Sequence, residues 1–403
     1  EEKLVTVHNG DTAAKLYYEL AALRSPSSYI EPSELSAIIS EVRQNRIASL
    51  SVPNDAALRE KILGGWLGRC AGCELGRPVE LWKREDIKSI LVETGGYPLS
   101  YYFSEKAFRR KPPEWLAARR GSMREHMKNA DRDDDLDYMV FNLYIAETYG
   151  AGFTAGDVGR EWLRFLPYTR VDTAERVAYA NMVQGLEPPA SAARMNPYRE
   201  WIGAQIRADI WGYVSPADPA RAAEFAFRDA SVSHAKNGIY GEMFFAAAIS
   251  AAFSLKNTKE CLEAAMGTIP SKSRFAEAVS NCIRWSEKNA SWDESIDLVY
   301  KKYGHYHPAH VLNNACVVML ALLYGEGDFG KTVCLAVLPG LDTDCNGATA
   351  GSVAGVMLGA GGIPEKWVKP FNDTLLSIVA GRSENRISDL ADRTVAAAKG
   401  MKQ

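Results

Sequence analysis

Apolar residues recur at spacings of three and four along most of the chain, which is the periodicity of an α-helix with one buried face. Strand-like alternation of apolar and polar residues is scarce. The pattern predicts helices at 58–67, 139–145, 222–227, 240–253, 311–323 and 333–337. We therefore expect an all-α fold, with a multi-helix bundle as its one main domain.

The first 55 residues form a separate unit in this pattern. Two short amphipathic helices are predicted there, at 17–23 and 35–47. A Ser-Pro-Ser-Ser stretch follows the first, and a Pro-Ser start signal precedes the second. The sequence thus predicts an N-terminal helical extension, residues 1–55, followed by the main domain, residues 56–403.

Two predicted helices carry a glycine at every fourth position. The glycines are Gly64, Gly68, Gly72 and Gly76 in the first helix and Gly347, Gly351, Gly355 and Gly359 in the second. Glycine costs roughly 1 kcal/mol relative to alanine inside a helix, so its repetition indicates a compensating role. A ridge without side chains lets another backbone approach closely. We expect two central, tightly packed helices that fix the residues at their ends.

Residues 93–131 have a different character. They contain Gly95, Gly96, Pro98, Pro112 and Pro113 and little helical periodicity. The segment is predicted to be a long connection with little regular structure. Connections of this length in compact domains often act as lids or binding loops.

Composition and charge exclude several classes of partner. The chain has 403 residues, 47% of them hydrophobic, which is enough for the large core of a soluble globular protein. Its net charge of -3 gives no field that attracts nucleic acid, so no nucleic-acid partner is expected. The uncharged stretch 345–364 is poor in Leu, Ile and Phe, and no membrane span is expected.

Localisation stays open at this point. No signal peptide is visible, but the sequence does not begin with Met. A cytoplasmic location, or export after removal of a signal peptide, is expected.

The seven cysteines are scattered and odd in number, which predicts buried free thiols and not a disulfide framework. Cys70 and Cys73 form a CxxC pair, but no second pair completes a zinc site. Small residues on a helix face are the favoured interpretation of this pair.

A histidine cluster also has a spacing that suggests zinc, with members His305, His307 and His310. It has no matching fourth ligand nearby. His310 lies one turn before Asn314, which favours a hydrogen-bonding pair at a helix start.

Acidic residues give the strongest chemical signal. Five aspartates crowd seven positions before a strongly apolar helix: Asp131, Asp133, Asp134, Asp135 and Asp137. The helix dipole stabilises a carboxylate near a helix N-terminus by roughly 0.3–1 kcal/mol, which explains one or two of the five aspartates. A second pair, Asp342 and Asp344, precedes the second glycine-rich helix and must lie on a loop or a first turn if both serve one site.

Either acidic group alone is also typical of a solvated helix start. Together they favour a cation, because like charges at this density repel one another. Oxygen ligands select hard ions such as Mg2+, Mn2+ or Ca2+.

Two motifs give residues 57–400 a resemblance to the ADP-ribosylglycohydrolases. The first motif is KILGGWLGRCAGCELGRPVE, which ends at Glu80. In its last nine positions the family commonly has Gly-Asp-x-x-Gly-x-Pro-x-Glu, and this chain has Gly-Cys-Glu-Leu-Gly-Arg-Pro-Val-Glu. The second is GDFGKTVCLAVLPGLDTDCNGATAGSVAGVMLGA, with Asp342 and Asp344 in the family's Asp-x-Asp.

The resemblance implies an orthogonal all-α bundle whose cleft holds two divalent cations, usually Mg2+. Carried over by position, the metal ligands are Asp133, Asp134, Asp135, Asp342, Asp344 and Cys345. Asp133 stands where the family has Thr or Ser, and Cys345 stands where it has Thr. Metal identity and the ligand set are therefore open, and Asn346 is a substitute oxygen donor.

The implied reaction is hydrolysis at the anomeric carbon of an ADP-ribosyl adduct or related ribosyl conjugate. Candidate bases are Asp134 and Asp135, and Glu80 is a further acidic group near the metals or the substrate. Substrate contacts are expected from a set of polar residues, each with a structural hydrogen bond or cap as the alternative: Arg207, Asp209, His234, Asn237 and Asn346.

Two other functions stay open. One is hydrolysis of a different N- or O-glycoside, and the other is a non-catalytic module that binds ADP-ribose or a nucleotide. We expect a monomer.

Overall fold

The computed structural model describes residue 12 and residues 15–19, 28–43 and 50–401. Helices dominate these residues, and the strands described within them form one two-stranded sheet. The all-α fold expected from the periodicity is confirmed.

The α-helices in the described ranges are α1 (Leu35–Glu41), α2 (Asp55–Gly76), α3 (Arg84–Glu93), α4 (Pro113–Arg119), α5 (Asp134–Tyr149), α6 (Ala155–Phe165), α7 (Thr173–Val183), α8 (Ala190–Ala193), α9 (Asp209–Tyr213), α10 (Pro219–Ala230), α11 (Asn237–Ala252), α12 (Thr258–Met266), α13 (Arg274–Lys288), α14 (Trp292–Tyr303), α15 (Val311–Gly325), α16 (Phe329–Val337), α17 (Thr343–Leu358), α18 (Glu365–Val368) and α19 (Ile387–Gly400). Short 3-10 turns connect several of them: Arg77–Val79, Glu105–Phe108, Arg120–Ser122, Gly150–Gly152, Tyr168–Arg170, Gln205–Arg207, Ala360–Gly362 and Lys369–Phe371. The strands β1 (Thr374–Leu376) and β2 (Glu384–Arg386) pair antiparallel.

The six predicted helical segments coincide with α2, α5, α10, α11, α15 and α16, to within one residue at the end of α11. The observed helices extend beyond the apolar patterns because capping residues set their starts. Asn54, for example, accepts a hydrogen bond from the backbone N–H of Ala57 and begins α2 three residues before the first core position, Leu58.

The two glycine-rich helices, α2 and α17, form the central pair. A Cβ placed on Gly72 would lie 1.8 Å from the carbonyl oxygen of Gly347, and one on Gly68 would lie 2.1 Å from that of Gly351. Any side chain on this ridge would therefore collide with backbone. The predicted close packing of the two helices is confirmed, with Gly76 at the end of α2 against Thr343 at the start of α17.

The described part of the N-terminal segment packs against α11 and α13. Glu31 pairs with Arg274 at 2.7 Å, and the side chain of Ile38 is fully buried. The helix predicted at 35–47 ends at Glu41, where Val42 turns to extended backbone and bridges Pro270. Residues 44–49 lie outside the described ranges, and so does most of the helix predicted at 17–23, of which 17–19 are helical.

Residues 93–131 contain more regular structure than expected. The helix α4 and two 3-10 turns lie within this segment, so the expectation of an almost irregular connection was wrong. Pro113 is compatible with helix because proline is tolerated in a first turn. The hydroxyl of Tyr102 donates to the carbonyl of Trp367 at 2.6 Å and anchors the segment to the bundle.

Among the described residues, no helix has the length and apolar character needed to cross a membrane. The uncharged stretch 345–364 is divided between α17, which ends at Leu358, and the turn Ala360–Gly362.

Candidate metal centre

Three parts of the chain bring acidic residues together. They are the 3-10 turn that follows α2, the start of α5 and the start of α17. Their possible ligand atoms form three groups, in each of which the atoms lie within 4.8 Å of one another: Glu80, Asp342 and Asp344; Asp135, Asp344 and Cys345; and Cys73, Asp133 and Asp135. Because Asp135 and Asp344 are each shared by two groups, the three groups form one continuous centre.

The start of α17 has the geometry that the i, i+2 spacing required. Asp342 is the N-cap residue, and Asp344 lies in the first turn. The Asp342 side chain makes no capping hydrogen bond, so its carboxylate is available to the centre. Asn314 fixes this turn, because its Oδ1 accepts from the Asp342 backbone N–H at 3.1 Å and from Asn346 Nδ2 at 2.8 Å.

The three aspartates at the start of α5 have different surroundings. Asp133 caps the helix, accepting from the backbone N–H of Asp135 at 3.1 Å. Asp134 is partly exposed. Asp135 is fully buried, and its Oδ1 accepts from Arg69 Nη2 at 2.7 Å. Arg69 therefore orients Asp135 and offsets its charge.

The two outer aspartates of the acidic run do not belong to the centre's three groups. Asp131 pairs with Arg77 at 2.7 Å. Asp137 accepts from the backbone N–H of Ile378 and from Arg132 Nε, both at 2.7 Å. These contacts tie the start of α5 to neighbouring segments.

Burial and mutual repulsion raise the pKa values of most carboxyls in the centre. Burial, followed by the charges of Glu80 and Asp342, raises the pKa of Asp344 well above its usual range. Burial is also the first cause for Glu80, whose pKa rises to about 7 with Asp342 and Asp133 as further causes. The pKa of Asp135 is raised by burial although Arg69 opposes the shift.

The donor set fits a divalent cation. Two of the buried oxygens, Asp135 Oδ2 and Asp344 Oδ1, have no hydrogen-bond partner among the described residues. Leaving a carboxylate oxygen buried without a partner is costly, and a cation removes both that cost and the repulsion. These residues form buried acidic clusters that could bind metal ions.

Arg207 lies elsewhere, and the expected contact with a substrate is not supported. Its guanidinium is fully buried and donates to Glu175 at 2.7 Å, to Ser233 at 3.1 Å and to Asp229 at 3.2 Å. The aromatic ring of Trp162 covers it at 5.0 Å. Arg207 is thus the centre of a buried ion-pair network.

Three other predicted substrate contacts also have structural partners. Asp209 is buried and accepts from Arg69 at 2.8 Å. Nδ1 of the buried His234 lies 2.8 Å from the Ser233 hydroxyl, and burial lowers the pKa of His234 well below its usual value. Asn237 accepts from the backbone N–H of Phe275 at 3.0 Å. Direct substrate contact from these residues is not supported either.

Asn346 stays beside the centre. Its backbone N–H donates to the Asp342 carbonyl at 2.9 Å. Its side-chain Oδ1 is buried and has no hydrogen-bond partner in the described parts of the chain. The predicted role as an additional oxygen donor is compatible with this placement.

Sequence spacing did not predict four residues around the centre. Cys73 joins one of its groups, and Arg69 orients Asp135. Arg77 Nε lies 3.6 Å from Asp133 Oδ2, and Arg119 lies 3.7 Å from Glu80. For Cys73 and Arg69 a signal existed, because both lie next to a glycine of the ridge in α2.

The histidine cluster has structural roles. His310 caps α15, accepting from the Leu312 N–H at 3.2 Å, and Asn314 Nδ2 donates to the His310 carbonyl at 2.8 Å. The predicted helix-start pair is confirmed. His307 stacks on Trp201 with ring centroids 4.0 Å apart. None of the three histidines joins a possible metal group among the described residues.

A groove of about 560 Å3 is lined by residues of α3 and of the turn Glu105–Phe108. One wall begins at Leu81, directly after Glu80, and Leu81 N–H donates to the Leu341 carbonyl at 2.8 Å. Five basic residues and two acidic residues line it: Lys83, Lys106, Arg109, Arg110, Lys111, Asp86 and Glu93. The groove therefore has a positive balance of charge.

Comparison with known proteins agrees with the geometry. The ADP-ribosylglycohydrolase family matches the chain over residues 54–403. A solved chain described as an ADP-ribosylglycohydrolase-related protein complex has a TM-score of 0.53 and 17% identity, covering 86% of this chain and 99% of that one, which shows a shared fold. No curated protein matches. The match over most of the chain shows that it belongs to the ADP-ribosylglycohydrolase family.

Proposed function

We propose that this chain is a metal-dependent hydrolase that cleaves the glycosidic bond of an ADP-ribosyl adduct. Family membership supports a glycohydrolase. The observation that carries the proposal is the convergence of Glu80, Asp342 and Asp344 within 4.8 Å, at the junction of the two central helices. In a family member, such a convergence of carboxylates is best explained as catalytic machinery.

We infer two positions for divalent cations from the chain's own residues. Glu80, Asp342 and Asp344 offer only oxygen, which suits Mg2+, with Mn2+ or Ca2+ as alternatives. The second position adjoins Asp135 and Asp133, whereas Asp134 joins no group of possible ligand atoms among the described residues. A divalent cation bound there supplies Lewis acidity, orienting ribose hydroxyls and lowering the pKa of a water molecule.

Glu80 and Asp134 are the residues that we assign to proton transfer. Both are partly exposed, so their carboxylates are accessible to a water molecule at the centre. Asp135 is bound by Arg69, so we assign it a structural role in the centre and not a role in proton transfer. The proton that Glu80 or Asp134 accepts comes from the water molecule that attacks the anomeric carbon.

The basic groove fits the rest of this substrate. The pyrophosphate of an ADP-ribosyl group is anionic, and guanidinium and ammonium groups are its usual partners in proteins. Lys106 and Arg109 line this groove and are exposed.

The test is release of ADP-ribose from peptides carrying it on Arg or on Ser, with Mg2+ present. Asp344→Asn is expected to abolish release while far-UV circular dichroism stays unchanged. Asp389→Asn is the matched control, because Asp389 also lies in a helix's first turn but is exposed and outside the centre. Full activity of Asp344→Asn would refute the assignment.

The two other candidate functions give different results in the same experiment. Turnover of simple glycosides without ADP-ribose release would indicate another N- or O-glycoside hydrolase. Calorimetric binding of ADP-ribose without release from either peptide would indicate a binding module.

A further inference from the structure

The N-terminal segment, residues 28–43, precedes the part of the chain that matches the family, which begins at residue 54. One of its residues nevertheless makes a strong contact with the bundle. Glu31 Oε1 accepts from the backbone N–H of Arg274 at 3.0 Å and from its Nε at 2.8 Å, and Oε2 accepts from its Nη2 at 2.7 Å. Paired bonds between a guanidinium and a carboxylate fix the orientation of both groups. The N-terminal segment therefore sets the position of the Arg274 side chain.

The same guanidinium is connected to the start of α15 by two routes. Nη2 also donates to Glu200 Oε2 at 2.8 Å, and the Glu200 carbonyl accepts from the N–H of Val311, the first residue of α15, at 3.1 Å. Nη1 donates to the Tyr306 hydroxyl at 3.4 Å. The Tyr306 ring stacks on His310, the N-cap residue of α15, with ring centroids 4.3 Å apart. Arg274 thus supports both the backbone and the cap of this helix start.

The start of α15 is also the support of Asp342. The buried Asn314 donates from Nδ2 to the carbonyls of Pro308 at 2.6 Å and His310 at 2.8 Å. Its Oδ1 accepts from the Asp342 backbone N–H at 3.1 Å. One amide side chain therefore joins the start of α15 to the start of α17, and a displacement of the first helix start is passed to the second.

We propose that Glu31 and Arg274 are positioning residues of the metal centre, which hold the start of α15 so that Asn314 keeps Asp342 in place. The N-terminal segment is then part of the architecture of the site, although it precedes the family match. The inference rests on the proposed function for the role of Asp342, but its first test requires neither metal nor turnover.

Hydrogen–deuterium exchange of residues 341–347 in the full-length protein is the first test. Glu31→Gln loses a charged partner of Arg274, so the Asp342 amide should open more often and exchange about tenfold faster or more. Ser33→Ala is the matched control, because it removes another contact of the N-terminal segment, in which Ser33 Oγ accepts from the Lys236 N–H at 3.1 Å. Unchanged exchange in Glu31→Gln, or equal acceleration in both variants, would overturn the inference.

A second variant tests the route without altering the N-terminal segment. Tyr306→Leu removes the hydroxyl contact with Arg274 and the ring that stacks on His310, and leaves Glu31 paired. Exchange of residues 341–347 should again be faster than in the wild type. Wild-type exchange in Tyr306→Leu, together with wild-type exchange in Arg274→Met, would overturn the inference even if Glu31→Gln fails to fold.

Calorimetric titration with Mg2+ separates positioning of the centre from general stability. Glu31→Gln should bind Mg2+ more weakly than the wild type by more than about threefold, whereas Ser33→Ala should bind it as the wild type does. Equal affinity in all three proteins would overturn the inference. Absence of Mg2+ binding by the wild type would instead refute the proposed function, and the exchange measurement would then decide the inference.

Discussion

The substitution Gly72→Ala tests the link between the glycine ridge and the centre. The added Cβ would lie 1.8 Å from the Gly347 carbonyl oxygen, and real Cβ atoms do not approach within 3.0 Å. Both contacting groups belong to helix backbone, so no side-chain rotation relieves the collision. The start of α17 must move away from the end of α2.

Two opposing free energies determine the size of the effect. Alanine favours a helix over glycine by about 1 kcal/mol, which stabilises the variant. Overpacking typically costs about 1–3 kcal/mol, and a collision between two backbones belongs at the upper end. We expect a net loss of about 1–2 kcal/mol in the free energy of unfolding.

Urea unfolding followed by circular dichroism measures this loss. Calorimetry measures metal binding, which should weaken because the displaced start of α17 carries Asp342 and Asp344. Gly156→Ala is the control: its Cβ would meet nothing closer than 3.5 Å in α6, so equal or greater stability is expected. Wild-type stability and metal affinity in Gly72→Ala would refute the reasoning. In the double variant with Gly347→Ala, the second change should cost less than it does alone, because the helix displacement that the first change causes also makes room for the second.

Two further predictions concern buried charges. Arg69→Met leaves two buried aspartates, Asp135 among them, without their counter-charge, so the free energy of unfolding measured in urea should fall by about 3–5 kcal/mol. Arg393→Met is the control, because it removes a partly exposed ion pair and should lower the free energy of unfolding by less than about 1 kcal/mol. Burial raises the pKa of both Glu74 and Glu175 from 4.5 to about 7, so between these values the folded chain holds protons that the unfolded chain has lost. The stability that these two carboxyls contribute should therefore be fully present below about pH 4.5 and fall as pH rises towards 7, whereas the lowered pKa of His234 acts in the opposite direction. The difference in melting temperature between the wild type and a Glu74→Gln, Glu175→Gln variant isolates this contribution, and the absence of a pH-dependent difference across this window would contradict the assignment.

The spacing of apolar residues predicted the helices well, because the residues that produce this spacing lie close together in the chain. Helical periodicity depends on which residues face a core, and the six predicted segments are helices. The placement of Asp342 and Asp344 at a helix start followed from their spacing. The glycine ridge predicted close helix packing because only a missing side chain permits it.

The same patterns could not rank the polar residues. Arg207 resembled a phosphate ligand in sequence, yet it lies at the centre of a buried ion-pair network with Glu175 and Asp229. The five aspartates within residues 131–137 could not be ranked by spacing, but Asp131 and Asp137 pair with arginines outside the groups that share Asp135. Nothing in the local sequence distinguishes these outcomes.

The sequence by itself determined the helical class, the two central helices and the acidic residues at helix starts. The tertiary structure decided which of those acids converge, that Arg69 orients Asp135, and that Cys73 belongs to the centre. The reason is physical: burial, charge pairing and raised pKa values depend on groups more than sixty residues apart along the chain. Only the packing of α2 against α17 and α5 brings those groups within a few ångströms.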